Sequence, residues 1–174
     1  MRVEKELDGR KERRWVDDHR VSEVRLFEVE PRLAASILKD YEELHNFREK
    51  TGENRFVRGA TLSKAEQRRV QVLKDRISAQ VAKVAYSPDY NGAFEDLMLL
   101  MALLFKRPLS AAETREQAQA IARLLAHEQR QHAREVARLR ALENSPKALS
   151  QAEQVELVGL RTTVAMHEWP PCLM

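Results

Sequence analysis

From Ala111 to Asn144 the chain contains no glycine or proline and is built from Ala, Arg, Glu, Gln and Leu, all strong helix formers. Ser110-Ala111-Ala112-Glu113 opens the stretch with the spacing of a capping box. At 1.5 Å per residue such a helix is about 50 Å long, whereas a compact chain of this length is roughly 40 Å across. The helix is therefore expected to overhang its own domain, and a partner chain, a helix folded back along it, or both can cover the overhang. Val136, Leu139 and Leu142 carry an apolar seam into its last turns, so a partner chain or a second copy is one way to cover it. The other is an antiparallel hairpin, because Ser145–Leu149 is short enough to return the chain into a last helix opened by the box Ser150-Gln151-Ala152-Glu153.

The rest of the chain is read from spacing and punctuation. Leu33, Ile37, Tyr41 and Leu44 place a helix from Pro31 to about Asn46. The segment from Arg48 to Ala60, with Gly52 and Gly59, reads as loop. Ser63-Lys64-Ala65-Glu66 begins a helix carried by Val70, Leu73, Ile77, Val81 and Val84 as far as Tyr86. Ala93 to Lys106 is apolar on nearly every side, which predicts the enclosed central helix of the bundle. The alternation in Val24–Glu30 predicts one short strand or extended segment. Residues 1–23 are dense in charge with sparse apolar points, and read as a charged arm or short helix. The expected fold is predominantly all-α: a helical bundle with one long projecting helix or hairpin and one short N-terminal strand. Its expected parts are the arm 1–23, a helical core over 24–109, and the long helix with a C-terminal helix and apolar tail over 110–174.

Composition narrows the class. The net charge of +3, from 30 basic and 27 acidic side chains, is too balanced to signal nucleic-acid binding by itself. The longest apolar run, Leu97–Phe105, is far short of the roughly 20 residues a membrane-spanning helix needs. The first residues mix acids and bases without a signal-peptide core, so a cytoplasmic location is expected. Cys172 is the sole cysteine and stands third from the end, which excludes an internal disulfide and a prenylation box.

On the long helix Ile121, Leu125, Glu128, His132 and Leu139 share a sector about 60° wide, with Glu135 beside it. Glu128, His132 and Glu135 could offer two carboxylates and an imidazole to one metal ion, completed by the Glu-x-x-His pair Glu42 and His45. The alternative is a Glu–His hydrogen bond that fixes helix register. Ferritin-like centres need two such pairs, and only one is present. His127 and His132 are five apart and diverge by about 140°, which excludes the zinc-protease pattern.

The opposite face gathers Arg123, Arg130, Arg134 and Arg138 within about 80°, together with His127. The one acid in this sector is Glu116. Arg69, Arg76 and Lys83 recur at sevens on the helix after Ser63. Such stripes suit phosphates or an acidic partner, or are solvated faces of an arginine-rich protein. The segment Val81–Tyr90 is similar to the turn of a helix-turn-helix, but the helix after it offers Phe94, Leu97, Met98 and Met101 where base-reading side chains are polar. There is no phosphate-binding glycine loop and no nucleophile elbow. Glu95 and Asp96 read as charges complementing the dipole at a helix start.

These features favour a non-enzymatic assembly or adaptor protein without a cofactor. It is expected to act through protein contacts of the long helix at Ile121, Leu125, Val136, Leu139 and Leu142, as a homo-oligomer or with a protein partner. A nucleic-acid-binding protein using the arginine stripe is the alternative, and a metal-binding helical protein the third. Whether the tail Trp169–Met174 docks on its own chain or on another is open at this level.

Overall fold

A computed structural model describes the backbone of residues 2–7, 10–16, 21–52 and 59–174, and the side chains of residues 24–52 and 59–174. Among the described residues the fold is predominantly helical, with five helices: α1 Pro31–Thr51, α2 Lys64–Val81, α3 Ala93–Leu104, α4 Ala111–Glu143 and α5 Gln151–Met166. Three strands precede them, β1 Arg2–Leu7, β2 Arg10–Val16 and β3 Val21–Leu26, as an antiparallel meander in the order β1-β2-β3.

Each helix start follows from local chemistry. The Ser63, Ser110 and Ser150 side chains accept from the backbone N–H of Glu66, Glu113 and Glu153, whose carboxylates accept in return from the serine N–H groups. All three capping boxes expected from the sequence are therefore formed. Glu30 caps α1 by accepting from the N–H groups of Arg32 and Leu33, with Pro31 pre-set in the first turn. This helix runs past Asn46 to Thr51 and stops at Gly52, whose φ of 74° closes it in the left-handed conformation that glycine adopts without strain.

The strand expected at Val24–Glu30 is β3, and two more strands lie within 1–23, the stretch expected as a charged arm, of which residues 1, 8, 9 and 17–20 lie outside the described residues. Apolar spacing missed these two. The register sets Glu4 across from Arg13, Lys5 across from Glu12, Glu6 across from Lys11 and Arg14 across from Glu23. Segments so charged show none of the apolar alternation by which a half-buried strand is read.

The core lies where α1, α2, α3 and the first half of α4 meet, around Ile37, Tyr41, Leu44, Leu73, Ile77, Ile121 and Leu125, all buried. The burial on α4 is concentrated between Gln117 and Ala126; beyond it only Leu142 is buried. The second half of α4 is accompanied by α5. Bidentate Arg138–Glu156 at 2.8 Å and Arg161–Glu143 at 3.0 Å pin the two together. The hairpin reading of the long helix is the one realised.

The apolar tail docks in cis. Its Trp169 Nε1 donates to Ser78 Oγ on α2, Tyr41 Oη donates to the Pro171 carbonyl at 2.6 Å, and the Leu173 N–H donates to Tyr41 Oη at 2.7 Å. The buried Arg48 guanidinium donates to the carbonyls of Pro170 and Pro171. Burial pushes the Tyr41 hydroxyl up to about 12, which keeps it protonated and able to donate.

Candidate functional site

α3 departs most from expectation. It is not the enclosed helix its composition implies: Asp96, Leu100 and Leu103 are buried, while the opposite face is open. Phe105 is 87 % exposed, Phe94 68 % and Met101 58 %, and Leu97, Met98 and Leu104 are exposed beside them. At 100° per residue these six fall within a sector of about 120°, so they form one continuous apolar strip. Using the area range of an aromatic side chain as a guide, the strip exposes roughly 600 Å², at the upper end of what a monomer shows.

What aims this strip outward is a buried polar knot behind it. The Asp96 carboxylate, fully buried, accepts two hydrogen bonds of 2.8 Å from Arg123 on α4 and one of 2.6 Å from the Tyr90 hydroxyl. Arg123 Nη1 also donates to the Phe27 carbonyl at 3.2 Å. On the same turn of α4, the Gln119 side chain accepts from the Val29 N–H and donates to the Val29 carbonyl. With burial and the neighbouring carboxylate both favouring the neutral phenol, the Tyr90 hydroxyl is pushed far up. Gly92 supplies the close approach at the start of α3: a Cβ there would meet Leu26 Cδ2 at 2.1 Å. Asp96, read from the sequence as a dipole charge, is thus an anchor that fixes α3 in rotation.

The arginine stripe is broken by the same packing. Arg123 is buried in the knot, and Arg138 is paired with Glu156 of α5. Arg69 is held bidentate by Glu43 at 2.6 and 2.7 Å, and Arg76 reaches the buried Asp40 at 3.1 Å. Arg130 lies over the Tyr86 ring, 5.8 Å from its centroid, and His127 accepts or donates at 3.2 Å from the same tyrosine's hydroxyl. Arg134 and Lys83 remain exposed. The acids absent from the stripe itself come from other helices, so the acid-free surface expected from the wheel is not formed.

The metal constellation is likewise not assembled. Among the described residues no group of three or more His, Cys, Asp or Glu side chains comes together in a metal-holding arrangement. His132 instead stacks on His167, with ring centroids 3.7 Å apart and planes 10° from parallel. His45 sits 3.7 Å from Glu49 on its own helix, and Glu42 lines a groove between α1 and α4. That groove, about 470 Å³, has an apolar floor of Leu26, Phe27, Leu38 and Ala118. Its lining carries Lys39 and Arg115 against Glu28, Glu42 and Glu116, with Arg123 already engaged by Asp96.

Of the apolar residues expected to meet a partner, Ile121 and Leu125 lie in this chain's own core, and Leu142 is buried near the end of α4. Val136 and Leu139 are half-buried on the part of α4 that α5 accompanies. The open side of the hairpin belongs to α5, with Val155 and Val158 exposed. Sequence reasoning missed the α3 face because a helix apolar all round gives no sign of which side stays open.

The His132–His167 stack ties the tail to α4 and carries a pH dependence. Burial, reinforced by the neighbouring His132, holds the His167 imidazole below its usual 6.5, while Glu128 and Glu135 pull the other way. A histidine lowered in the folded state favours folding fully above about 6.5 and loses that contribution as pH falls through the folded value. Trp169 fluorescence in a Trp15→Phe background should therefore report release of the tail below about pH 6.5. His167→Phe should flatten the profile, and a wild-type signal unchanged between neutral pH and about pH 5 contradicts this reading of the stack.

The chain matches no family model, no curated protein and no solved structure. No helix among the described residues is long and apolar enough to cross a membrane.

Proposed function

We propose that the protein is a non-enzymatic helical assembly or adaptor module that works by protein–protein contact. Its principal contact face is the outer side of α3, and the exposed side of the α4–α5 hairpin is a second surface. The observation that carries this reading is the strip Phe94, Leu97, Met98, Met101, Leu104 and Phe105, held open by a buried ion pair on its inner side. A strip of that size is costly to leave in water, since apolar area carries about 25 cal/mol per Å². The chemistry that suits it is another apolar helix face, packed in the groove-and-ridge manner of helix pairs. The long helix contributes by placing α3: its first half supplies Arg123 and the surface on which α3 rests.

A photoreactive side chain at position 101 tests the reading in the cells that make the protein. Protein adducts are expected, and Phe105→Glu in the same chain should reduce them about tenfold or more, as truncating a central anchor does. Adducts to nucleic acid or lipid alone, or protein adducts indifferent to Phe105→Glu, count against it.

A further inference from the structure

The sequence of α3 and its flank reads Phe94-Glu95-Asp96-Leu97-Met98-Leu99-Leu100-Met101-Ala102-Leu103-Leu104-Phe105. About a midpoint between Leu99 and Leu100 four of the six exposed residues mirror one another, Phe94 with Phe105 and Met98 with Met101, while Leu97 and Leu104 fall opposite Ala102 and Glu95. Laid antiparallel on its own copy, such a strip sets Phe94 against Phe105 and Met98 against Met101 twice over, the reciprocal pairing of an isologous two-fold contact.

We propose that the occupant of the α3 face is a second copy of this chain, packed antiparallel about a two-fold axis that is perpendicular to α3 and passes between Met98 and Met101. The inference rests on the contact-face reading above and names its partner. In this arrangement Phe94 of one copy packs against Phe105 of the other at each end, and the four methionines fill the middle, where their flexible side chains adapt to one another. Charge agrees with the antiparallel sense. The start of α3 carries Glu95 and the chain just past its end carries the exposed Arg107. Antiparallel packing sets unlike charges together at both ends, whereas parallel packing sets like beside like; the helix dipoles also oppose. Size agrees as well. Two strips of roughly 600 Å² clear the total of about 1,000 Å² that a specific interface needs, and fall below the standard of about 1,600 Å². The dimer is therefore concentration-dependent rather than permanent.

Sedimentation velocity on the full chain across a concentration series gives the first test. A species of twice 20.2 kDa is expected at high concentration. Met98→Glu should raise the dissociation constant by roughly 100-fold or more, because two carboxylates are buried per dimer. Met98 is exposed, so the helical circular dichroism of the variant should match the parent. Val155→Glu on α5 should leave the dimer intact.

The register is tested in a Cys172→Ser background. Phe94→Cys combined with Phe105→Cys should oxidise to a covalent dimer, and Phe94→Cys alone should not, because the two copies of position 94 lie about 16 Å apart along the helix axis. A chain that stays monomeric at every concentration, one that instead collects on lipid vesicles, a dimer indifferent to Met98→Glu, or equal cross-linking by the single cysteine overturns the proposal. A monomer whose position 101 still gives adducts to a different protein sinks the self-pairing alone. Absence of any protein adduct sinks the contact-face reading as well.

Discussion

Asp96→Ala is expected to lower the unfolding free energy by about 3–5 kcal/mol, the range for breaking a buried ion pair from one side. The substitution leaves the Arg123 guanidinium, buried beneath α3, with a positive charge and no carboxylate. It also strands the Tyr90 hydroxyl, which donates to the same carboxylate. Asp96→Asn keeps the shape and one acceptor but removes the charge, and should fall between parent and alanine. Chemical denaturation monitored by circular dichroism gives the values. The informative comparison is the double substitution Asp96→Leu with Arg123→Met, which removes both charges and should recover most of the loss. If Asp96→Ala costs less than about 1 kcal/mol, the ion pair is not the anchor described.

The second large effect is expected at Arg48. Its guanidinium is buried and holds the carbonyls of Pro170 and Pro171, with Glu168 3.7 Å away. Arg48→Ala leaves the Pro170 carbonyl without its donor and the Pro171 carbonyl with the Tyr41 hydroxyl alone, and it opens the seam between tail and α1, at a cost of about 2–3 kcal/mol. The loss should be local as well as global. Hydrogen exchange at the Leu173 N–H, which donates to Tyr41, is expected to approach that of an unstructured amide, while Ile37 and Leu44 stay protected. Unchanged protection at Leu173 contradicts the role given to Arg48. Tyr41→Phe removes one acceptor and one donor to the tail, and should produce a smaller version of the same change.

The two results bear on function differently. Tail release by Arg48→Ala leaves the knot around Asp96 untouched, so contacts made by α3 should persist. Loss of the knot frees α3 to rotate, and should weaken association together with stability. A variant of the outer face such as Met98→Glu should weaken association with stability retained. That pattern separates a surface that binds from a core that supports it.

The candidate residues on α4 illustrate how far a helical wheel reaches. Arg123 shares a sector with Arg130, Arg134 and Arg138, and nothing in the one-helix geometry distinguishes it from them. It is removed from that surface because Asp96 of α3 approaches within 2.8 Å. Arg138 loses its free charge because Glu156 arrives from α5, 18 residues along the chain. His132 joins no metal-holding group, and its ring is met by His167 at the end of α5. In each case the missing information is the identity of a neighbour brought in by another element.

Five helices, three capping boxes and the hairpin turn were legible in the residues, because they depend on groups within one or two turns of each other, whereas α1 runs five residues past the expected Asn46 and α2 stops five short of the expected Tyr86. The long helix was legible for the same reason, since it needs only continuous helix formers. Two of the three strands were not read, because their segments are charged and lack apolar alternation, although the sequence between them, Asp8-Gly9, has the composition of a two-residue hairpin. Nor was the open face of α3: Phe94 and Met101 are as apolar as the buried Leu100 and Leu103, and hydrophobicity without periodicity assigns no inside. The tertiary structure made that assignment through one buried pair. Desolvating Asp96 is tolerable only with Arg123 against it, so the side of α3 bearing Asp96 faces α4, and Phe94, Met98, Met101 and Phe105 are left to the outside.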